Sequence, residues 1–452
     1  MKGAAGIGGA FLLGQQAANA GIVLPAPSAP PSPLPPEAAE GIKHVVVIMM
    51  ENRSTDHLLA WHPTANVVRN QTFVDNAGVA HATYDLLGDD TYVGYMGCGY
   101  DDPAHGYETG RTHVNNGAMD GFLRTAPDGD LFPIGYYLEG ARPWFNSLAR
   151  NFTVCDNYFC STLTSTFPNR VFLHAGATDR MSNGFAPQAS GSSASPSLLP
   201  TIWDRIADTG GAVTGRYYFQ DLPTLGLWGE KYIPISRHIE SFFADAATGQ
   251  LPNVAFVDPR ALEEGNTGTS GDDHPHADLR VGEYFLQSCF DAVANSPAWP
   301  NTVFIITYDE WGGFFDHVAP PRAMDASSGL DRDLVDGKAR LGIRVPTIIA
   351  SPYTKGDPNN PRVSSQVYDH TSILKFIETA FGLGRISSTS RDNSSDVGDL
   401  MAAIDLSKTD FSLPELGPAP FVAPTPCNPV VGENDWEEFA NSGLLDAWNL
   451  QL

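Results

Sequence analysis

Val45-Val46-Val47-Ile48-Met49-Met50 leads without a break into Glu51-Asn52-Arg53-Ser54-Thr55-Asp56-His57. A continuous apolar run of this kind, rich in β-branched residues, predicts a strand buried on both faces, as in parallel sheets. Ligand sites in open α/β sheets lie just beyond the carboxyl ends of such strands, where this run turns acidic and polar. A second run, Thr302-Val303-Phe304-Ile305-Ile306-Thr307-Tyr308, ends in Asp309-Glu310. Two buried strands that each deliver acidic groups at their C-terminal ends predict one shared metal site.

Outward from these two runs, the pattern alternates between strands and helices from Ile42 to about Asp405. Further strands are expected at Phe152–Cys155, Val213–Phe219, Val254–Val257 and Val345–Ala350. Helices are expected at Trp144–Arg150, Ile202–Asp208, Asp278–Ala294 and Ser372–Phe381. The alternation predicts an α/β fold, a central mixed or parallel sheet with helices on both faces. The Ser/Gly-rich stretch 189–198 and the Asp-rich stretch 325–337 read as surface loops. No internal repeat is present.

The ends differ in composition. Lys2 precedes the uncharged stretch Gly3 to Gly14, with Phe11-Leu12-Leu13 at its apolar centre, and Ala18-Asn19-Ala20 fits the small-residue cleavage rule. Residues 1–20 therefore read as a signal peptide and predict a secreted or periplasmic protein. Residues 21–41 read as a Pro-rich linker, 42–405 as the main domain, and 406–452 as a C-terminal extension expected to pack on the core. No later segment reaches 18 uninterrupted apolar residues, so at most peripheral membrane contact is expected.

With 52 acidic against 27 basic residues, the formal charge of −25 argues against nucleic acid or anionic lipid as a partner. A small phosphate ester remains compatible, provided that local positive charge, such as a metal ion, receives it. Of the five cysteines, Cys155 and Cys160 are close enough to pair across a tight loop. Cys98, Cys289 and Cys427 have no obvious mates, and the set reads as mostly buried small apolar residues.

Three constellations carry chemistry. Glu51, Asp309 and Glu310, with the Asn52 carbonyl oxygen, offer an oxygen-rich set for a hard or borderline divalent cation, since buried charges need partners or metals. Ser161-Thr162-Leu163-Thr164-Ser165-Thr166-Phe167-Pro168-Asn169-Arg170 is crowded with hydroxyls, and its Pro suits the first turn of a helix. Thr166 would then sit near a helix N-terminus, which favours an anion. An unassisted threonine is a poor nucleophile, but a bound metal would lower its pKa. Last come the acid–imidazole pairs: Asp102 with His105, Asp272-Asp273-His274, Asp316-His317 and Asp369-His370. A carboxylate beside histidine suits a general acid or a phosphate ligand, and His105 and His274 are the first choices.

At this point the chain resembles the bacterial phosphoesterase family that contains haemolytic and non-haemolytic phospholipases C, plant non-specific phospholipases C and an acid phosphatase. Four motifs match in order: Glu51 to His57, Thr166 to Arg170, Asp309-Glu310-Trp311-Gly312-Gly313-Phe314-Phe315-Asp316-His317-Val318, and Gly342-Ile343-Arg344-Val345-Pro346 running on to Ser351-Pro352. Asp273-His274-Pro275 and Tyr368-Asp369-His370 also look like the family's.

The resemblance implies an alkaline-phosphatase-like fold. It implies a metal held by residues matching Glu51, Asn52, Thr166, Asp309 and Glu310, with Thr166 as nucleophile. His105 and His274 would contact phosphate or protonate the leaving group, with Arg170, Asp273, His317 and His370 as further phosphate contacts. The metal is a divalent cation (calcium, magnesium, manganese or zinc). Thr55 stands where the family usually has an aromatic, and Trp311 where many members have His. A sulfatase shares the x-Pro-x-Arg spacing but needs an aldehyde that threonine cannot yield.

The expected activity is hydrolysis of phosphoric esters, with phosphatidylcholine-type lipid as first choice and soluble phosphate monoesters as the alternative. Trp311, Phe314 and Phe315 are candidate contacts for a choline head group. An inactive phospholipid-binding protein is the third reading.

Overall fold

The computed structural model describes residues 41–88, 94–188, 194–265, 267–407, 410–427 and 435–450. The signal peptide (1–20) and all of the Pro-rich linker (21–41) but Gly41 lie outside the described residues.

The central sheet has eight strands: β1 (His44–Met50), β2 (Thr153–Cys155), β3 (Gly215–Phe219), β4 (Ser236–His238), β5 (Val254–Asp258), β6 (Thr302–Tyr308), β7 (Ile348–Ala350) and β8 (Val363–Ser364). Their order is β8-β2-β7-β6-β1-β5-β3-β4, and only β7 runs antiparallel to its neighbours. The two long apolar runs form the centre. β1 pairs in parallel with β6 over its whole length, His44 opposite Thr302 and Met50 opposite Tyr308. Every residue of β6, and all of β1 after His44, is buried, as a strand covered on both faces requires.

Nine α-helices flank the sheet among the described residues: α1 (Thr55–Leu59), α2 (Tyr107–Val114), α3 (Pro143–Asn151), α4 (Thr166–Ala175), α5 (Ile202–Ala207), α6 (Ile239–Thr248), α7 (Leu279–Ala294), α8 (His370–Phe381) and α9 (Asp435–Ala440). α7 packs against α3 and α6, whereas α4 packs against α5 and α8. None is long and apolar enough to cross a membrane.

The expected strand Val345–Ala350 is shorter than its apolar run. Pro346 lacks the N–H that a ladder needs, and regular pairing begins only at Ile348. The stretch 325–337 connects a small antiparallel hairpin, Arg322–Met324 with Lys338–Arg340. Beyond Asp405 the chain lays Trp436, Phe439, Leu444, Leu445 and Trp448 into the main core.

Three of the cysteines are buried as expected, and the pairing departs from expectation. Cys98 is bonded to Cys427 across 329 residues, while Cys155, Cys160 and Cys289 are buried free thiols. Cys155 closes β2 and Cys160 follows it, and both lie in the main hydrophobic core. Burial pushes all three thiols up, Cys160 with help from Glu310 and Asp309, so they stay neutral.

Candidate active site

Register places the acidic ends of β1 and β6 side by side. The Asp309 N–H donates to the Met50 carbonyl at 3.1 Å, and the Asn52 N–H donates to Asp309 Oδ1 at 3.0 Å. Asn52 takes the left-handed conformation (φ 58°), which asparagine tolerates better than most residues, and the chain turns sharply after Glu51. Gly312, also left-handed at φ 60°, lets the segment after Glu310 approach. A Cβ there would stand 2.1 Å from the Asn52 carbonyl oxygen. Its N–H donates to Glu310 Oε2 at 2.8 Å.

α4 brings the threonine. Ser165 is extended, Thr166 is the first helical residue, and Pro168 sits in the first turn, where its missing N–H has no partner to lose. Asn169 ties the preceding loop to the helix. Its side-chain amide donates to the carbonyls of Thr162, Thr164 and Ser165, and its oxygen accepts from the Thr162 N–H. The Thr166 hydroxyl donates to Glu51 Oε1 at 3.2 Å. One turn on, Arg170 donates from Nε to Asp309 Oδ2 at 3.0 Å and from Nη2 to Glu51 Oε2 at 3.3 Å. Four groups drawn from three distant parts of the chain thus meet in a buried cluster.

The electrostatics follow from burial. Desolvation pushes the Glu51 carboxyl well up, Arg170 pulls it down, and Asp309 and Asp272 push it further up. Glu310 is raised in the same way, with His105 opposing. Asn52 Oδ1 and Glu310 Oε1 are buried with no hydrogen-bond partner. Orphaned acceptors among crowded carboxylates suit a hard divalent cation, so the residues fit the metal that the family resemblance implies.

Imidazoles line one side. His105 Nδ1–H is held by the Pro103 carbonyl at 2.7 Å, leaving Nε2 at 3.6 Å from Glu310 Oε1. His274 Nε2 lies 3.3 Å from Asp102 Oδ2, and its Nδ1 is buried without a hydrogen bond. Asp102 acts on Glu310 too, which joins these pairs into one group.

Three other expected phosphate contacts are engaged elsewhere. The Asp273 carboxylate is taken by Arg142 at 2.9 Å and the Tyr308 hydroxyl at 2.6 Å. His370 uses both nitrogens as a brace, Nε2 on the Asp309 carbonyl at 2.7 Å and Nδ1 on the Tyr158 hydroxyl at 3.2 Å. His317 joins another cluster, with Nδ1 2.6 Å from Asp56 and Nε2 3.1 Å from Asn66, where Arg344 neutralises Asp56 and Asp316. Trp311, Phe314 and Phe315 are fully buried, so they do not present a face to a choline head group. Phe314 stacks on His57, and the Trp311 indole donates to His113.

One residue at the centre was missed. The Trp436 indole N–H from α9 donates to both Glu51 oxygens, at 3.1 and 3.0 Å, and Arg170 lies over the same ring at 5.1 Å. A tryptophan in an acidic tail carries no sequence signal for such a role. Glu264 was missed as well: Glu51, Glu264 and Asp272 bring ligand oxygens within 4.8 Å of one another.

Comparison with known proteins gives the same direction. The profile of the phosphoesterase family matches residues 42–384. The chain is 30% identical over 410 residues to non-specific phospholipase C6 of Arabidopsis thaliana, covering 83% of this chain and 76% of that protein. It is 29% identical over 464 residues to phospholipase C A of Mycobacterium tuberculosis, covering 87% of this chain and 84% of that protein. A solved structure in the alkaline phosphatase superfamily, from Vibrio parahaemolyticus, aligns with a TM-score of 0.38 at 10% identity, over 82% of this chain and 73% of that one.

Proposed function

Since the chain belongs to the phosphoesterase family and is a hydrolase acting on phosphate esters, we propose that it is a phospholipase C using Thr166 as nucleophile. The observation that carries this reading is the meeting of the Thr166 hydroxyl with Glu51 at the start of α4, beside Arg170 and Asp309.

Glu51, Asn52, Thr166, Asp309 and Glu310 would hold a divalent cation, whose chemistry there is to lower the pKa of the threonine hydroxyl and offset charge on non-bridging oxygens. Thr166 releases its hydroxyl proton to water and attacks phosphorus as the bond to the glycerol oxygen breaks. The leaving alkoxide takes a proton from a ring nitrogen of His105 or His274. The head group stays on phosphorus as a threonine-linked phosphodiester. Water then attacks phosphorus, the threonine oxygen leaves with a proton, and the phosphorylated head group departs. Arg170 and the Thr166 N–H at the start of α4 stabilise charge on the phosphoryl oxygens as it develops.

The named phospholipase C relatives support a phospholipid substrate, and the Cys98–Cys427 bond supports an exported protein, because disulfides persist in oxidising compartments. A second reading, an acid phosphatase for soluble monoesters, is favoured by one observation. The three aromatics nearest the Asp309-Glu310 motif are buried, which removes the expected choline contacts.

A chromogenic phosphocholine diester compared with its phosphate monoester separates the two. Turnover of the diester, with an acid-quenched protein mass raised by the head-group phosphate and lost in Thr166→Ala, is the expected result. Turnover of the monoester alone would transfer the protein to the phosphatase reading. Unchanged rates in Thr166→Ala would remove the nucleophile.

A further inference from the structure

Next to the candidate catalytic cluster, on the other side of Glu51, lies a second group of carboxylates that the hydrolysis does not use. Glu264 and Asp272 are both buried, at 1% and 0% exposure, and with Glu51 they bring one oxygen each within 4.8 Å of one another. Glu264 Oε2 and Asp272 Oδ2 have no hydrogen-bond partner. The other oxygen of Asp272 is used locally, accepting from the Ser270 hydroxyl at 2.7 Å and the His274 N–H at 3.0 Å.

The second acidic group of similar tightness, Asp56, Asp316 and His317, offers a contrast. There Arg344 donates to Asp316 at 2.9 and 3.0 Å and reaches Asp56 at 3.4 Å, so a guanidinium already supplies the counter-charge. At Glu264 the strongest neighbouring charges are all negative: Glu51, Asp272, Asp435 and Glu437. Asp435 and Glu437 belong to α9, the helix that also delivers Trp436 to Glu51. Glu437 ties that helix to the same loop, accepting from the Glu263 N–H at 2.7 Å, and its own Oε2 is buried without a partner.

We propose that Glu264, Asp272 and Glu51 bind a second divalent cation, a structural one of the calcium class, which fastens Glu264 and the turn at Asp272 to the end of β1 beside α9. Oxygens on opposite sides of a calcium ion are about 4.6 to 5.2 Å apart, twice the usual bond length, and three oxygens within 4.8 Å of one another can share one such ion. Magnesium keeps several waters and is seldom caged by protein alone, which suits less well a site whose Glu264 and Asp272 are buried. Zinc favours nitrogen and sulfur donors, and the pocket offers none among its three ligands. The site is distinct from the hydrolytic one, because two of its three ligands take no part there and Glu51 alone is shared.

Terbium(III), a luminescent stand-in for calcium, tests this on the full chain. Trp436 touches Glu51, so its indole should sensitise terbium bound there. Wild type should show sensitised emission that calcium displaces, and a thermal midpoint that calcium raises. Glu264→Gln should weaken calcium binding at this site about tenfold or more and lose the share of both signals that Glu310→Gln keeps, since ligand charge sets affinity in such sites. Trp436→Phe should lose the emission but keep the calcium stoichiometry. Glu310→Gln, altered only in the hydrolytic cluster, should keep the Glu264-dependent ion. If Glu264→Gln does not fold, Glu264→Asp, which keeps the charge but draws it back, should shift calcium affinity in the same direction. Unchanged calcium stoichiometry and affinity in the Glu264 variants would overturn the site, as would a single bound ion that Glu310→Gln removes. Neither result depends on whether Thr166 is the nucleophile, which the acid-quench experiment reads separately.

Discussion

Replacing Arg170 by methionine tests the electrostatic core of the site. Its guanidinium is 2% exposed and forks between Asp309 at 3.0 Å and Glu51 at 3.3 Å. Methionine keeps the length and the apolar stem, so packing against Trp436 persists while the charge goes. Removing one partner of a buried ion pair costs about 3–5 kcal/mol, because the remaining charges stay desolvated. An unfolding entropy of roughly 2.1 cal/mol/K per residue makes this about 3–6 °C in the thermal midpoint for a chain of this size. The assay is calorimetry in chelator at neutral pH, with Asp309→Asn and the double variant completing a cycle. The Asn oxygen can still accept from the Asn52 and Glu310 N–H groups, so the second change removes charge rather than scaffold. The double variant should be less destabilised than the sum of the singles by about 1–3 kcal/mol. Adding a divalent cation should stabilise Arg170→Met more than wild type, since the ion replaces the lost charge. Strict additivity, or a midpoint within about 1 °C of wild type, would refute the account of Glu51 and Asp309 as buried carboxyl groups held by this guanidinium.

Glu378 on α8 should make stability fall with pH. Burial, reinforced by Asp392 and opposed by Arg385, pushes its carboxyl up to about 8. Between its unfolded pKa and that value the native state holds the extra proton, so stability declines as pH rises through this window. Glu378→Gln should gain about 2–4 kcal/mol on wild type between pH 4.5 and 8.5, read by urea titration; a constant difference would sink the assignment. The Cys98→Ser/Cys427→Ser variant should lose roughly 2–5 kcal/mol, measured against the oxidised protein, because the bond closes most of the chain into one loop; equal midpoints with and without reductant would contradict it.

The two central strands were legible because both are long, continuous and β-branched, and their shared register carried the acidic residues at their ends into contact. α4 was legible from Pro168 and the hydroxyl-rich approach to it. Less could be read where the determinant is tertiary. α2 went unrecognised because Gly110 and four polar neighbours blur its period; in the structure Gly110 is required, since a Cβ would stand 2.9 Å from Trp311. Phe314 and Phe315 follow a Gly-Gly turn and look available to ligand, yet the turn directs them inward onto His57, Phe132 and Phe73. An acid–imidazole pair is equally ambiguous in sequence. His274 keeps a ring nitrogen without a hydrogen bond, whereas His370 and His317 are saturated by neighbours that no local pattern announces.

The bond between Cys98 and Cys427 joins the two segments that crowd the site from outside. Cys98 opens the loop that runs to Asp102 and His105, and Cys427 precedes Trp436 by nine positions. With the bond intact, Cys427 is held at a Cα–Cα distance of 5.1 Å from Cys98, so the chain that carries Trp436 is tied to the segment that carries Asp102 and His105. Reduction would release that tie, so a thiol reagent should reach catalysis from a distance without touching any reacting atom.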